Sequence, residues 1–228
     1  VGFKVKDMQT GDYVSQTVRY PSNTVIDEYF TDDTGCLMLP EKLRYGDYEL
    51  HEIAAPAGYV LSPNPVPFTV DGTQQTIEVV KENVSQKGTI SILKTGKIFA
   101  TVSENDGIYT PVFEDKGLEG TVYEIYADED IITPDGKTRY GKDELVDTLT
   151  TGPDGKALSK ALYLRAYRVE EKTAVHGMVI NQDVKTVTLS YAGQDVSVTT
   201  VALKIYNERR EAFISVVKSL DFVYDYNA

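Results

Sequence analysis

The sequence has no tryptophan, two histidines and a single cysteine, Cys36, in 228 residues. One thiol cannot close an internal disulfide, so the fold must be stabilised without that staple, which matters most outside the cell. Cys36 sits in GCLML, whose apolar neighbours predict a small buried side chain. His51 and His176 have no second ligand at metal spacing, so no metal site and no cofactor is expected. Basic residues are also scarce: 23 Lys and Arg against 35 Asp and Glu give a formal charge of −12. Phosphate binding needs clustered cations, which argues against nucleic acid as a partner; acidity of this kind keeps a surface protein soluble. No apolar run approaches the roughly 20 residues that cross a bilayer, so no membrane insertion is expected. No secretory leader or wall-sorting signal is present, and the sequence is expected to be an interior stretch of a longer chain.

What is present is β-forming. Tyrosine (16 residues), Thr and Val are plentiful, and apolar residues alternate with period two in TIEVV, TISIL, TVYEIYA, TVTLSYAG and VSVTTVALKIY. TGD, DDTG, PDG and YAGQD punctuate these runs as turns. Only DELVDTL offers a short helical spacing. The pattern predicts an all-β, antiparallel sandwich architecture. ADEDIITPDGKTRYGKDE lacks the ligand alternation of a calcium loop and is expected to be a solvated hairpin. The serines have no nucleophile-elbow context, and residues 99–116 form an insert for which a plain hairpin is expected and a binding loop is the alternative.

The chain repeats itself. TDDTG, ending at Gly35, precedes YELHE, ending at Glu52, and TGPDG, ending at Gly155, precedes YRVEE, ending at Glu171; the separations are 17 and 16 residues. Each unit closes on an asparagine, Asn83 in VVKENV and Asn207 in LKIYNERR. Residues 1–87 and 88–211 are thus expected to be two copies of one domain, the second with an insert. VGFKVKD matches TVYEIYAD, the second strand of the second copy, so the first copy lacks its own first strand. Ile214-Ser-Val-Val-Lys218 repeats Ile90-Ser-Ile-Leu-Lys94, which makes 212–228 the expected first strand of a truncated third copy. That tail is expected to pack on the second domain or a neighbour, with strand exchange through 213–218 as the alternative in an otherwise monomeric protein.

Side-chain phase picks out three polar residues on core-facing rows. Lys94 follows Ile90 and Ile92, Glu171 follows Tyr167 and Val169, and Asn207 follows Val201, Leu203 and Ile205. Strand phase alone admits two readings. One is a buried Lys–Glu ion pair with Asn as its hydrogen-bond partner, which costs each ion several kcal/mol of hydration. The other is chemical: an apolar pocket favours a neutral amine and a neutral carboxylic acid. Such an amine is a nucleophile, and such an acid can polarise the Asn amide and shuttle protons to departing ammonia.

GTISILKTGK, GLEGTVYEIYA, TGPDGKA, LYLRAYRVEEKTAVHGM and YNERR, with VGFKVKD, TDDTGCL, YGDYELHEIAAPAGYVL and VKENV in the first copy, resemble the Cna-B/SpaA-type domains of Gram-positive pilins and cell-surface adhesins. The resemblance spans nearly the whole chain. It implies tandem reverse Ig-like sandwiches and a self-forming isopeptide bond between Lys94 and Asn207, with Glu171 as the catalytic acid. The second copy departs from the family's AP-x-GY box, having Val175 and Met178 where Pro and Tyr are usual. The first copy keeps Glu52 and Asn83 but lacks the lysine strand, and Lys4 and Lys6 fall on the wrong face, so its site is expected to be incomplete; Lys218 would be the first-strand lysine of the next repeat. The implied role is a structural stalk or shaft, extracellular and cell-wall attached through parts outside this stretch, with single-turnover chemistry and no enzymatic turnover. The alternative is an adhesin module that itself grips a host glycoprotein, immunoglobulin, matrix ligand or glycan. A carbohydrate-active enzyme is the most distant option, because no paired carboxylates in a cleft can be argued.

Overall fold

The structure is a computed structural model and describes residues 1–219. It contains nineteen strands and, among the described residues, no helix. The first eight are β1 (Gly2–Asp7), β2 (Gln16–Val18), β3 (Thr24–Ile26), β4 (Tyr29–Phe30), β5 (Gly46–Ala54), β6 (Tyr59–Val60), β7 (Val66–Val70) and β8 (Val84–Ser85). After them come β9 (Lys87–Asn105), β10 (Ile108–Gly117), β11 (Val122–Ala127), β12 (Ile131–Ile132), β13 (Thr138–Tyr140) and β14 (Leu145–Thr150). The last are β15 (Lys156–Leu158), β16 (Leu162–Tyr163), β17 (Ala166–Thr173), β18 (Lys185–Thr188) and β19 (Val198–Asn207).

Residues 87–207 build two facing sheets. One has the order β14-β11-β17-β18; the other is organised around β9, which pairs with β10, β15, β16 and β19. Burial alternates along β9, with Ile90, Ile92 and Lys94 inward, because successive strand side chains point to opposite faces. Ile90, Ile92, Tyr123, Ile125, Tyr167 and Val169 form the centre of a fourteen-residue core between the sheets. At about 25 cal/mol per Å² of apolar surface removed from water, this burial is the main stabilising term in a chain with one thiol. Among the described residues the ladders are antiparallel except one: β19 runs parallel to β9, in register from Val198↔Lys87 to Asn207↔Gly96. First and last strands of the unit therefore lie side by side.

Residues 1–85 repeat half of this plan. Their sheet has the order β4-β1-β5-β7, matching β14-β11-β17-β18 strand for strand. Their central cluster has three buried residues, Val5, Tyr29 and Tyr48, packed by half-buried loop residues such as Leu37 and Leu39. The two units meet through hydrogen bonds. Buried Gln86 donates to the carbonyls of Gly193 and Val196 and accepts from the Ala192 N–H, which fixes the 192–196 loop. Within that loop, Gln194 accepts from the N–H groups of Ala55, at 2.9 Å, and Leu61, also at 2.9 Å, while Gln86 N–H donates to the Gly58 carbonyl.

Two sequence expectations are corrected. DELVDTL is strand β14, not a helix: a bulge opposite Ile125/Tyr126 adds one residue, so Val146 and Leu149 both face inward despite their helical spacing. Cys36 is exposed, not buried. Its stretch has no ladder partner, and Cys36 and Met38 are exposed while Leu37 and Leu39 are half-buried against the cluster of Val5, Tyr29 and Tyr48. In the described part of the tail, residues 211–219 form no strand, and Phe213, Ile214, Val216 and Val217 are 84–106% exposed. The remainder of the proposed third repeat, 220–228, lies outside the described residues. The insert is the expected hairpin, β9 and β10 joined at Asp106-Gly107, both at positive φ as a tight two-residue turn requires.

Candidate functional site

Lys94, Glu171 and Asn207 come together at one end of the second unit's core, from β9, β17 and β19. The Lys94 backbone is clamped on both sides. Its N–H donates to the Gly155 carbonyl at 2.8 Å, and its carbonyl accepts from Leu118 N–H at 3.0 Å. Gly155 has φ +74°, and a Cβ there would overlap the Lys94 carbonyl oxygen. The TGPDG turn thus ends in glycine because it presses against the lysine strand.

The Lys94 ammonium nitrogen lies 2.7 Å from Glu171 Oε2 and donates to Asn207 Oδ1. Asn207 Nδ2 donates to Glu171 Oε1 at 2.5 Å. One carboxyl oxygen faces the amine and the other faces the amide nitrogen. The Lys94 and Glu171 side chains are 0% and 1% exposed. Burial pushes the Lys94 amine below its ordinary pKa, against the opposing hydrogen bond and charge of Glu171. Tyr123, cross-strand from Glu171, donates its hydroxyl to Oε2 at 3.3 Å; burial holds that phenol protonated, far above its ordinary range. The triad can exchange protons through its carboxyl without meeting water.

Tyr123 was legible only as a core residue in TVYEIYA; its shared phase with Ile125 could have pointed the hydroxyl at the acid. Met178, in the altered box, is buried. The turn that carries it is closed by Met178 N–H to Val175 carbonyl at 3.0 Å and tied to the exit of β19 by Val179 N–H to Glu208 carbonyl at 2.8 Å.

In the first unit, Asn83 Nδ2 donates to Glu52 Oε1 at 2.6 Å, and Ser62 N–H donates to Oε2 at 3.0 Å. No lysine amine bonds to Glu52 among the described residues. Lys4 pairs with Asp27 and Glu28 at 3.0 and 3.3 Å. Phe3 stands cross-strand from Glu52, where the second unit has Tyr123, so the hydroxyl is also missing. Lys218 lies on the exposed tail, away from any strand. His51 contacts Glu49 at 2.9 Å, and among the described residues no group of three or more His, Cys, Asp or Glu is placed to hold a metal ion.

This geometry sits on a recognisable fold. A family profile described as SpaA, prealbumin-like fold domain, matches residues 1–85 and 112–204. The chain belongs to that family of prealbumin-like domains. Glu52, Asn83 and Glu171 fall inside the matched stretches; Lys94 and Asn207 fall outside them. Among solved structures, the chain is similar to the TIE protein of Bacillus anthracis, with 20% identity and a TM-score of 0.51 over 91% of this chain and 30% of that one. It spans under a third of that protein, and the likeness is one of fold. It also aligns with GBS52, the minor pilin of Streptococcus agalactiae (18% identity, TM-score 0.38, 96% of this chain and 86% of that one). A third alignment is with the shaft pilin SpaA of Lactobacillus rhamnosus GG (13% identity, TM-score 0.33, 94% and 86%). No curated protein matches the chain.

Proposed function

We propose that the chain is a stalk or shaft segment of a Gram-positive surface protein or pilin, hardened by an autocatalytic amide bond between Lys94 and Asn207. Residues 1–87 and 88–211 are its two domains. The observation that carries the reading is one dry cluster in which an amine, a carboxyl and an amide bridge the first and last strands of a domain.

A proton passes from the Lys94 amine to Glu171, leaving a neutral nucleophile whose pKa burial already depresses. Lys94 Nζ attacks Asn207 Cγ, and the new C–N bond forms. Glu171 carries protons from the attacking nitrogen to Nδ2, the Cγ–Nδ2 bond breaks, and ammonia leaves. Tyr123 holds Glu171 in place throughout. The fold supplies the effective concentration, since both groups are pinned on adjacent strands. The product is a side-chain amide, made once per molecule without turnover.

Intact mass tests this. The parent should be lighter than its sequence by one ammonia, and Glu171→Ala should keep its full mass; a parent at full mass rejects the bond. One observation favours an adhesin module as the second reading: the β9–β10 hairpin projects Phe99, Val102, Ile108 and Tyr109, each 48–69% exposed. Capture of a host glycoprotein, immunoglobulin or glycan by the fragment, lost on trimming this hairpin, would support it.

A further inference from the structure

Alternation alone leaves one freedom at the triad. A one-residue slip of β19 along β9 would turn its apolar row outward, and burial forbids it. A two-residue slip keeps Val201, Leu203 and Ile205 on the core side with Ile90 and Ile92. It also carries Asn207 roughly 6.6 Å along the strand, two rises of ~3.3 Å, away from the Glu171 carboxyl and out of attack geometry. A contact outside the apolar pattern must therefore fix the register, and the far end of the same ladder holds one. Gln86 immediately precedes β9, and only Ser197 separates Val196 from β19. Gln86 is 1% exposed, and its side chain spans the two strand entrances. Its Nε2 donates to the Gly193 carbonyl at 2.8 Å and to the Val196 carbonyl, and its Oε1 accepts from Ala192 N–H at 2.8 Å. Its own N–H is held by the Gly58 carbonyl, also at 2.8 Å. Sliding β19 would leave these buried groups unpaired.

We infer that Gln86 is a positioning residue for the cross-link: its side-chain amide sets the parallel register of β19 on β9 and so places Asn207 beside Lys94 and Glu171. The other edge of β9 is pinned by β15 and β16, through Lys156↔Leu93 and Leu162↔Gly88, which leaves β19 as the strand whose register is still to be set. Glutamine suits the task because one neutral side chain offers donor and acceptor together. An apolar residue would strand two carbonyls and an N–H, and a charged one would bring an ion into a dry joint. The native register is marked midway by the Thr89 and Thr200 hydroxyls, 2.9 Å apart. Register is set at the entrance of the two strands, and the chemistry takes place at their exit.

The inference rests on the amide chemistry proposed for Lys94, and the test separates the two. The full chain is made in a short pulse of cell-free synthesis, quenched in acid at intervals and weighed intact. Gln86→Met keeps the side chain's bulk but removes its three hydrogen bonds. It should lose ammonia about tenfold more slowly than the parent, because only part of its population holds the competent register. Gln86→Glu, whose buried carboxyl is neutral, keeps an acceptor and one donor and should fall between the two. Gln194→Ala removes the Ala55 bond across the joint but none made by Gln86, and should keep the parent rate. Register is read by itself in a chain carrying Asn207→Ala and Cys36→Ser, in which no amide forms. There, Thr89→Cys with Thr200→Cys should close a disulfide. Thr89→Cys with Val198→Cys or Ala202→Cys, two residues out of register, should not, and adding Gln86→Met should let one of them close. Parent-rate ammonia loss in Gln86→Met, equal slowing by Gln194→Ala, or a disulfide that stays at Thr200 alone in Gln86→Met overturns the inference. A parent at full mass fails the amide reading instead, and the disulfide pairs still decide whether Gln86 sets the register.

Discussion

Force is where the proposed Lys94–Asn207 bond should matter most, and the parallel pairing of β9 and β19 lets the effect be worked out. Tension along the chain enters the second unit at Lys87 and leaves beyond Asn207, at opposite ends of two parallel neighbours, so it shears the ladder. Without the bond, rupture of that ladder exposes the core and the whole unit extends. With it, tension passes from Lys94 directly to Asn207 and bypasses the 113 residues of separation between them. At roughly 3.4 Å per extended residue, those residues represent about 380 Å of contour length. Their two ends start on adjacent strands only about 5 Å apart, so almost none of it is offset by the native separation. Single-molecule stretching of the parent should therefore lack a release of this size, and Glu171→Ala should show it. By analogy with a disulfide closing a loop of about 100 residues, the parent should also gain about 4–5 kcal/mol against denaturant. A parent that yields the full extension would refute the reasoning, whatever its stability.

Three further outcomes follow from the site and its supports. Gly155→Ala should destabilise the second unit by at least about 3 kcal/mol, combining left-handed strain with overlap on the Lys94 strand, whereas Gly35→Ala should cost only the strain of about 1–2 kcal/mol; denaturant titration of each variant compares them. Asn207→Ala, which cannot form the bond, leaves a titrating Lys94 whose folded pKa lies below its unfolded value of about 10.4. Between those two values the unfolded chain binds more protons, so the variant's stability should rise with pH there, by up to about 1.4 kcal/mol per unit, and level off above about 10.4. The parent, if the proposed bond acylates Lys94, should lack that rise when the two are compared by denaturant titration across pH.

The triad was legible because strand periodicity is rigid: once Ile90, Ile92, Tyr167, Val169 and Ile205 are inward, Lys94, Glu171 and Asn207 must be too. Where the period slips, legibility ends. The bulge in β14 turned an alternating strand into a helical spacing, since one added residue shifts every later side chain. Cys36 was misread for another reason. Its apolar neighbours do bury partly, but a strand without a ladder partner exposes every second residue, and local composition carries no information about pairing. The parallel pairing of β9 with β19 joins residues more than 100 positions apart, which no local pattern records. Tyr123 lies in the alternating run TVYEIYA, and its hydroxyl becomes meaningful only once Glu171 lies beside it.

The hydrogen-bonded joint around Gln86 and Gln194 bears on reach. Swivelling one unit against the other would strip the Ala55 and Leu61 N–H groups of their acceptors, each loss costing about 1 kcal/mol or more. A pair of units held this way behaves as a short rod with little slack. In the stalk role proposed above, a tug at one end would arrive at the other undelayed by a straightening hinge, and any cargo would keep a constant standoff from the surface behind it.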